Sequence, residues 1–163
     1  MHHNKYRTLT LDAAGPYTFL QLKIIDYLEK RSGQSITKLF DYISGISMGG
    51  VAAALLTIDK EGKPKYNAEK ALIKLNYITS KMERTGFSFE NIFHEQKLSD
   101  TIIPISLISM KLGTNSSPYE SKLEIFSTYN AKKNEAEDFT LIEALAASTR
   151  YASLFPAYNL SKN

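Results

Sequence analysis

Ser47 stands between two glycines in the run Gly45-Ile46-Ser47-Met48-Gly49. A serine hydroxyl is a weak nucleophile at neutral pH, and it becomes a competent one beside a base and donors that stabilise an oxyanion. The G-x-S-x-G spacing is that of a nucleophile elbow, in which a strand turns sharply into a helix and small neighbours make room for the serine. By chance the pentapeptide turns up in roughly a few per cent of chains of this size. The plain alternative is a serine that only caps the following helix. Context favours the nucleophile: the apolar run "LFDYISGI" precedes it, and Gly49, Gly50 and the small residues to Ala54 follow. The N–H of Met48, at the start of that helix, is a natural oxyanion donor.

A second stretch could complete such a site. "LDAAGP", Leu11 to Pro16, is a turn of small residues after a strand pattern, and successive N–H groups there form an anion-binding nest. Alone it would be an ordinary tight turn. Two strand-turn-helix units of one kind, however, place both turns at the same edge of a parallel sheet, where ligands of such folds bind.

Other chemistries find less support. A Ser-acid-His order needs a histidine after the nucleophile, and His94 in "NIFHEQK" is the one candidate, better read as a surface or packing residue. His2 and His3 lack a third ligand, so no metal site is expected. With 0 cysteines there are no disulfides, thiol catalysis or thiolate metal sites. The turn at Asp12 lacks the G-x-G-x-x-G spacing of a dinucleotide site. No cofactor is expected.

The elements that must hold these residues follow from periodicity. "YRTLTLD" reads as a strand. Pro16 opens a helix from Tyr17 to Arg31, on which Phe19, Leu20, Ile24, Tyr27 and Leu28 share a face and Gly33 supplies the stop. "LFDYISGI" is a second strand, Met48 to Thr57 a helix, and Asn67 the N-cap of a helix running to about Arg84. "TIIPISLISMK" reads as a strand that Pro104 confines to an edge or to the strand's beginning. "KLEIFSTYN" is a further strand, "AKKNEAED" a charged surface loop, "FTLIEALAAST" a helix with Thr140 near its cap, and "SLFPAYN" an irregular tail. Strands alternating with helices imply an α/β fold with a largely parallel central sheet.

The 163 residues, 43% of them hydrophobic, suffice for a single domain spanning 1–163. The 20 basic and 17 acidic side chains are interspersed, a solvated surface rather than a nucleic-acid footprint, so no nucleic-acid partner is expected. No apolar run reaches the ~18 residues of a transmembrane segment, and "MHHNKYRTLTL" has no signal-peptide core. The expectation is a cytoplasmic protein, or one secreted without a recognisable signal peptide, that meets membranes at the surface.

Three blocks together resemble the patatin-like phospholipase family: "DAAGPYT" (Asp12 to Thr18), "FDYISGISMGG" (Phe40 to Gly50) and "EALAASTRYASLFPAY" (Glu143 to Tyr158). They are similar to that family's D-G-G-G-x-R-G loop, its F-D-x-I-x-G-x-S-x-G-G elbow and its Ala-Ser-rich segment ending in F-P. The resemblance implies a three-layer α/β/α fold and a lipid acyl hydrolase working through a Ser–Asp dyad and an acyl-enzyme. Its substrate would be a lipid or other acyl ester at a membrane surface. It implies Ser47 as nucleophile, with Ala13, Ala14, Gly15 and Met48 around the oxyanion. Tyr17 and Thr18 depart from the family's Arg and closing Gly. The family's dyad aspartate sits in an Asp-Gly motif, and the 163 residues contain no Asp-Gly. The expectation is therefore a domain cut before the strand that carries this aspartate, weakly active or inactive as it stands, with an unpaired strand edge open to self-association. The alternative is a truncated, non-catalytic paralogue that binds lipid or a protein partner.

Overall fold

The computed structural model describes residues 5–13, 15–85, 89–112, 120–150, 158 and 160. Strand β1 (Thr8–Leu11) leads through a loop and a 3-10 turn at Gly15–Tyr17 into α1 (Thr18–Ser32), which Gly33 ends at φ 67° with its N–H returned to Glu29. A short helix α2 (Ile36–Leu39) precedes β2 (Tyr42–Ile46), and α3 (Met48–Thr57) follows it. A small hairpin, β3 (Asp59–Lys60) and β4 (Lys63–Pro64), leads to the long α4 (Ala68–Thr85). Then come α5 (Glu90–Phe93), β5 (Ile105–Lys111), β6 (Lys122–Ser127), α6 (Thr128–Lys133) and α7 (Leu141–Thr149).

The central sheet has the order β1-β2-β5-β6. β2 runs parallel to both β1 and β5, and β6 is antiparallel to β5. This is the expected α/β architecture, a mostly parallel sheet flanked by helices. The crossovers β1→β2 and β2→β5 step in the same direction, so right-handed connections carry α1 and α3 to the same face. Along the strands Leu11, Ile43, Ile105 and Leu107 are buried, alternating with Thr8, Thr10, Ser44 and Ile108, which are exposed or partly so. α3 is the central helix, with every residue from Met48 to Thr57 buried. Its small side chains permit this: a Cβ added at Gly50 would already lie 3.3 Å from Leu107 Cδ2.

Where the structure departs from sequence expectation, local polar chemistry decides. On α1 the inward residues are Thr18, Leu22 and Ile25, while Leu20 (61%) and Ile24 (54%) are exposed. Glu29 sets that rotation: its carboxylate accepts the N–H of Ile36 and of Ala68, each at 2.8 Å, at the starts of α2 and α4. Residues 18, 22, 25 and 29 share one helical face. The strand read through "KLEIFSTYN" stops at Ser127, whose hydroxyl accepts Asn130 N–H and caps α6. Most of the charged "AKKNEAED" loop is therefore the end of α6 and a 3-10 turn at Glu135–Glu137. β5 is a central strand, so Pro104 marks its beginning, where its carbonyl accepts Ile43 N–H. β2 is tied to the chain before β1 through Asp41, which accepts from the Arg7 N–H and guanidinium. Those bonds hold its carboxyl below the usual range.

Candidate active site

Ser47 occupies the single residue between β2 and α3, with φ 54° and ψ −127°. This is a conformation that residues with a Cβ rarely adopt, and it costs about 1–3 kcal/mol wherever the surroundings enforce it. The hydroxyl does not cap α3: it makes no side-chain bond to the helix start. The backbone is engaged on both sides instead. The Ser47 carbonyl accepts Val51 N–H at 3.1 Å and begins the helix ladder, while the Ser47 N–H donates to Ser148 Oγ at 3.0 Å. The backbone is thus strained and held on both sides, while among the described residues the hydroxyl has no hydrogen-bond partner.

The flanking glycines are required by close approach. A Cβ at Gly45 would lie 2.5 Å from Gly49 O, and one at Gly49 would lie 2.3 Å from Leu11 O and 2.5 Å from Asp12 O. The first contact closes the elbow on itself. The second presses the start of the β1–α1 loop onto the first turn of α3, so the loop and elbow share the same edge of the sheet, with Leu11 beside Gly45 in register. The structure thus brings together two of the stretches singled out in sequence. Ile46, the last residue of β2, is partly buried, and Met48 is buried at the first position of α3, where a backbone N–H has no intrahelical acceptor. Within the loop, Leu11 and Asp12 turn carbonyls toward Gly49, so N–H donors for an oxyanion would have to come from further along. Ala13 is exposed and Gly15 sits at φ 48°. Ala14 lies outside the described residues. Thr18, at the position of the family's closing glycine, is fully buried with its hydroxyl unpartnered.

Sequence reasoning did not single out Ser148. It lies near the C-terminal end of α7, a helix begun by a capping box between Thr140 and Glu143. Its hydroxyl accepts from Ser47 and donates to Ile108 O at 2.7 Å, and its neighbour Ala147 accepts from Ser109 Oγ at 2.8 Å. The available signal was the Ala-Ser-rich run "LAAST", whose small residues let the end of α7 lie close to β5 and the elbow.

Among the described residues no carboxylate or imidazole hydrogen-bonds to Ser47. His94 is exposed, at φ 48°, and its N–H closes the short α5 onto Glu90. No group of three or more His, Asp or Glu among the described residues could hold a metal ion. A shallow cavity of about 410 Å³, lined by Thr8, Tyr42, Pro104 and Ser127 among others, opens at the opposite end of the strands from the elbow. From Tyr42, which lines the cavity, to Ser47 the chain runs the length of β2, about 16 Å when extended.

The patatin-like phospholipase family model matches residues 9–163. No curated protein matches the chain.

Proposed function

The chain belongs to the patatin-like phospholipase family, and from that premise we propose that Ser47 is the nucleophile of a lipid acyl hydrolase acting on phospholipid or acylglycerol esters. Ser47 Oγ attacks the acyl carbonyl and its proton passes to a base. The tetrahedral oxyanion is met by Met48 N–H and by N–H groups of the loop at Ala13, Ala14 and Gly15. The alcohol leaves, and water hydrolyses the acyl-enzyme. The lipid would be met at a membrane surface. No helix of the described residues is long and apolar enough to cross a membrane. The other proposed partner is a second copy of the chain, across an open strand edge.

One observation carries this reading: Ser47 keeps a strained backbone at φ 54° while its hydroxyl makes no cap. A helix cap needs neither feature. The base is the weak point, because the family's dyad aspartate lies in an Asp-Gly motif that these 163 residues lack. Loss of one member of a serine-hydrolase triad costs several orders of magnitude in rate, with residual catalysis from the oxyanion hole. The second reading is a non-catalytic relative that binds lipid or a protein, with the turn at Ser47 kept for structure alone.

Fluorophosphonate labelling combined with fatty-acid release from phospholipid vesicles tests both. We expect slow labelling of the chain, abolished in Ser47→Ala, with little or no release of fatty acid. Complete absence of labelling in a folded sample would leave the non-catalytic reading standing. Robust Ser47-dependent release would overturn the expected inactivity.

A further inference from the structure

We propose that Ser148 is a positioning residue for the nucleophile: its hydroxyl locks the Ile46–Ser47 peptide so that Ser47 stays in the elbow conformation. This rests on the reading of Ser47 as nucleophile, and it assigns a role to the Ala-Ser-rich end of α7.

The argument begins with the strain. At φ 54° and ψ −127°, Ser47 would relax if the peptide plane joining it to Ile46 rotated, since that rotation changes φ of Ser47 and ψ of Ile46 together. The N–H of Ser47 belongs to that plane. It donates to Ser148 Oγ at 3.0 Å, so rotating the plane would break this bond. Ser148 Oγ is not free to follow, because its own proton is given to Ile108 O at 2.7 Å. Ile108 pairs in register with Ile46, the residue just before the nucleophile. One hydroxyl therefore joins three elements: the end of α7, the neighbouring strand β5 and the elbow itself.

Burial strengthens the lock. Ser148 is only 9% exposed, so water competes poorly for the Ser47 N–H. The arrangement also sorts the elbow's donors. With its own N–H committed to Ser148, Ser47 contributes no backbone donor to an oxyanion, which leaves Met48 N–H as the donor from this turn. A nearby control lies on the same two elements: Ser109 Oγ joins β5 to the Ala147 carbonyl at 2.8 Å and does not touch Ser47.

The test compares Ser148→Ala with Ser109→Ala in the full chain, with two readouts at a temperature where both remain folded. The first is the rate of fluorophosphonate labelling at Ser47, and the second is NMR-detected hydrogen exchange of the Ser47 amide. Ser148→Ala should slow labelling roughly tenfold, the rate equivalent of one hydrogen bond, and speed Ser47 exchange at least as much. Ser109→Ala should leave both near the unsubstituted values, although it removes a bond between the same elements. Unchanged labelling and exchange in Ser148→Ala would overturn the proposal, and so would an equal loss in Ser109→Ala. If the unsubstituted chain does not label at all, the nucleophile reading fails on its own and exchange decides the lock. Protection of Ser47 that disappears in Ser148→Ala sustains it, whereas an unprotected Ser47 amide in the unsubstituted chain overturns it.

Discussion

A residue that pays in backbone strain for its position should gain stability when the strain is removed. Ser47 holds φ 54° with a Cβ attached, and its hydroxyl returns no capping bond. Glycine adopts that region freely at an entropic cost of about 0.5–1 kcal/mol, against about 1–3 kcal/mol of strain relieved. Ser47→Gly should therefore stabilise the chain by about 1 kcal/mol, raising its thermal midpoint by about 2–4 °C, while abolishing labelling. Ser47→Ala keeps the Cβ and should abolish labelling without the gain. A midpoint for Ser47→Gly at or below that of Ser47→Ala would show that the turn is unstrained. The spacing of Gly45, Ser47 and Gly49 made this much legible in sequence, because steric demands at an elbow are local. Ser148 was not legible as the partner of Ser47. It lies 101 residues away, and the Ala-Ser-rich run around it allows close packing without marking which N–H it meets.

At the scale of elements, hydrophobic periodicity located most strands and helices, and polar side chains decided their limits and rotations. Asn67 caps α4 through Lys70 N–H as its residue type suggested. The buried face of α1 differs from the one its periodicity suggests, because the exposed Leu20, Ile24 and Tyr27 outnumber the buried apolar residues Leu22 and Ile25. The decisive group is a glutamate whose two N–H donors lie 7 and 39 residues ahead. No local pattern announces a carboxylate that caps two helices. Glu29→Ala should thus remove two caps and cost about 2 kcal/mol, at about 1 kcal/mol each, lowering the thermal midpoint by about 4–8 °C. Glu69→Ala is the matched control. Its carboxylate lies 4.0 Å from Lys30 on the exposed surface, and such pairs contribute little. Circular dichroism melts in which the two variants lose equal stability would refute the double cap.

For the whole molecule, the consequence of the sheet order β1-β2-β5-β6 is that β1 and β6 each pair on one side only within this sheet. The composition of the strands could not reveal this. Pro104 suggested either an edge or the beginning of a strand for β5, and pairing with β2 and β6 leaves the beginning, since a proline just before a strand removes no ladder bond inside it. β6 is the more exposed hazard. Leu123 (66%) and Ile125 (43%) are exposed on it, opposite Met110 and Ile108 on β5, with Lys122 and Glu124 its only charges and no proline. Native edges usually carry charge, proline or cover to prevent pairing with another chain. An antiparallel pairing of β6 with its copy would be two-fold symmetric and would place the exposed Leu123 and Ile125 of both chains on a shared sheet face. Sedimentation velocity in the micromolar range, where unprotected edges begin to associate, should show a sedimentation coefficient that rises with concentration. Replacing Leu123 and Ile125 together by lysine puts repelling charge on both copies without touching buried residues, so the variant should stay folded and monomeric. An unsubstituted chain that is monomeric throughout would rule out the pairing. Association undiminished in the lysine variant would move the interface away from β6, and the exposed Leu20, Ile24 and Tyr27 of α1 would be the next surface to charge.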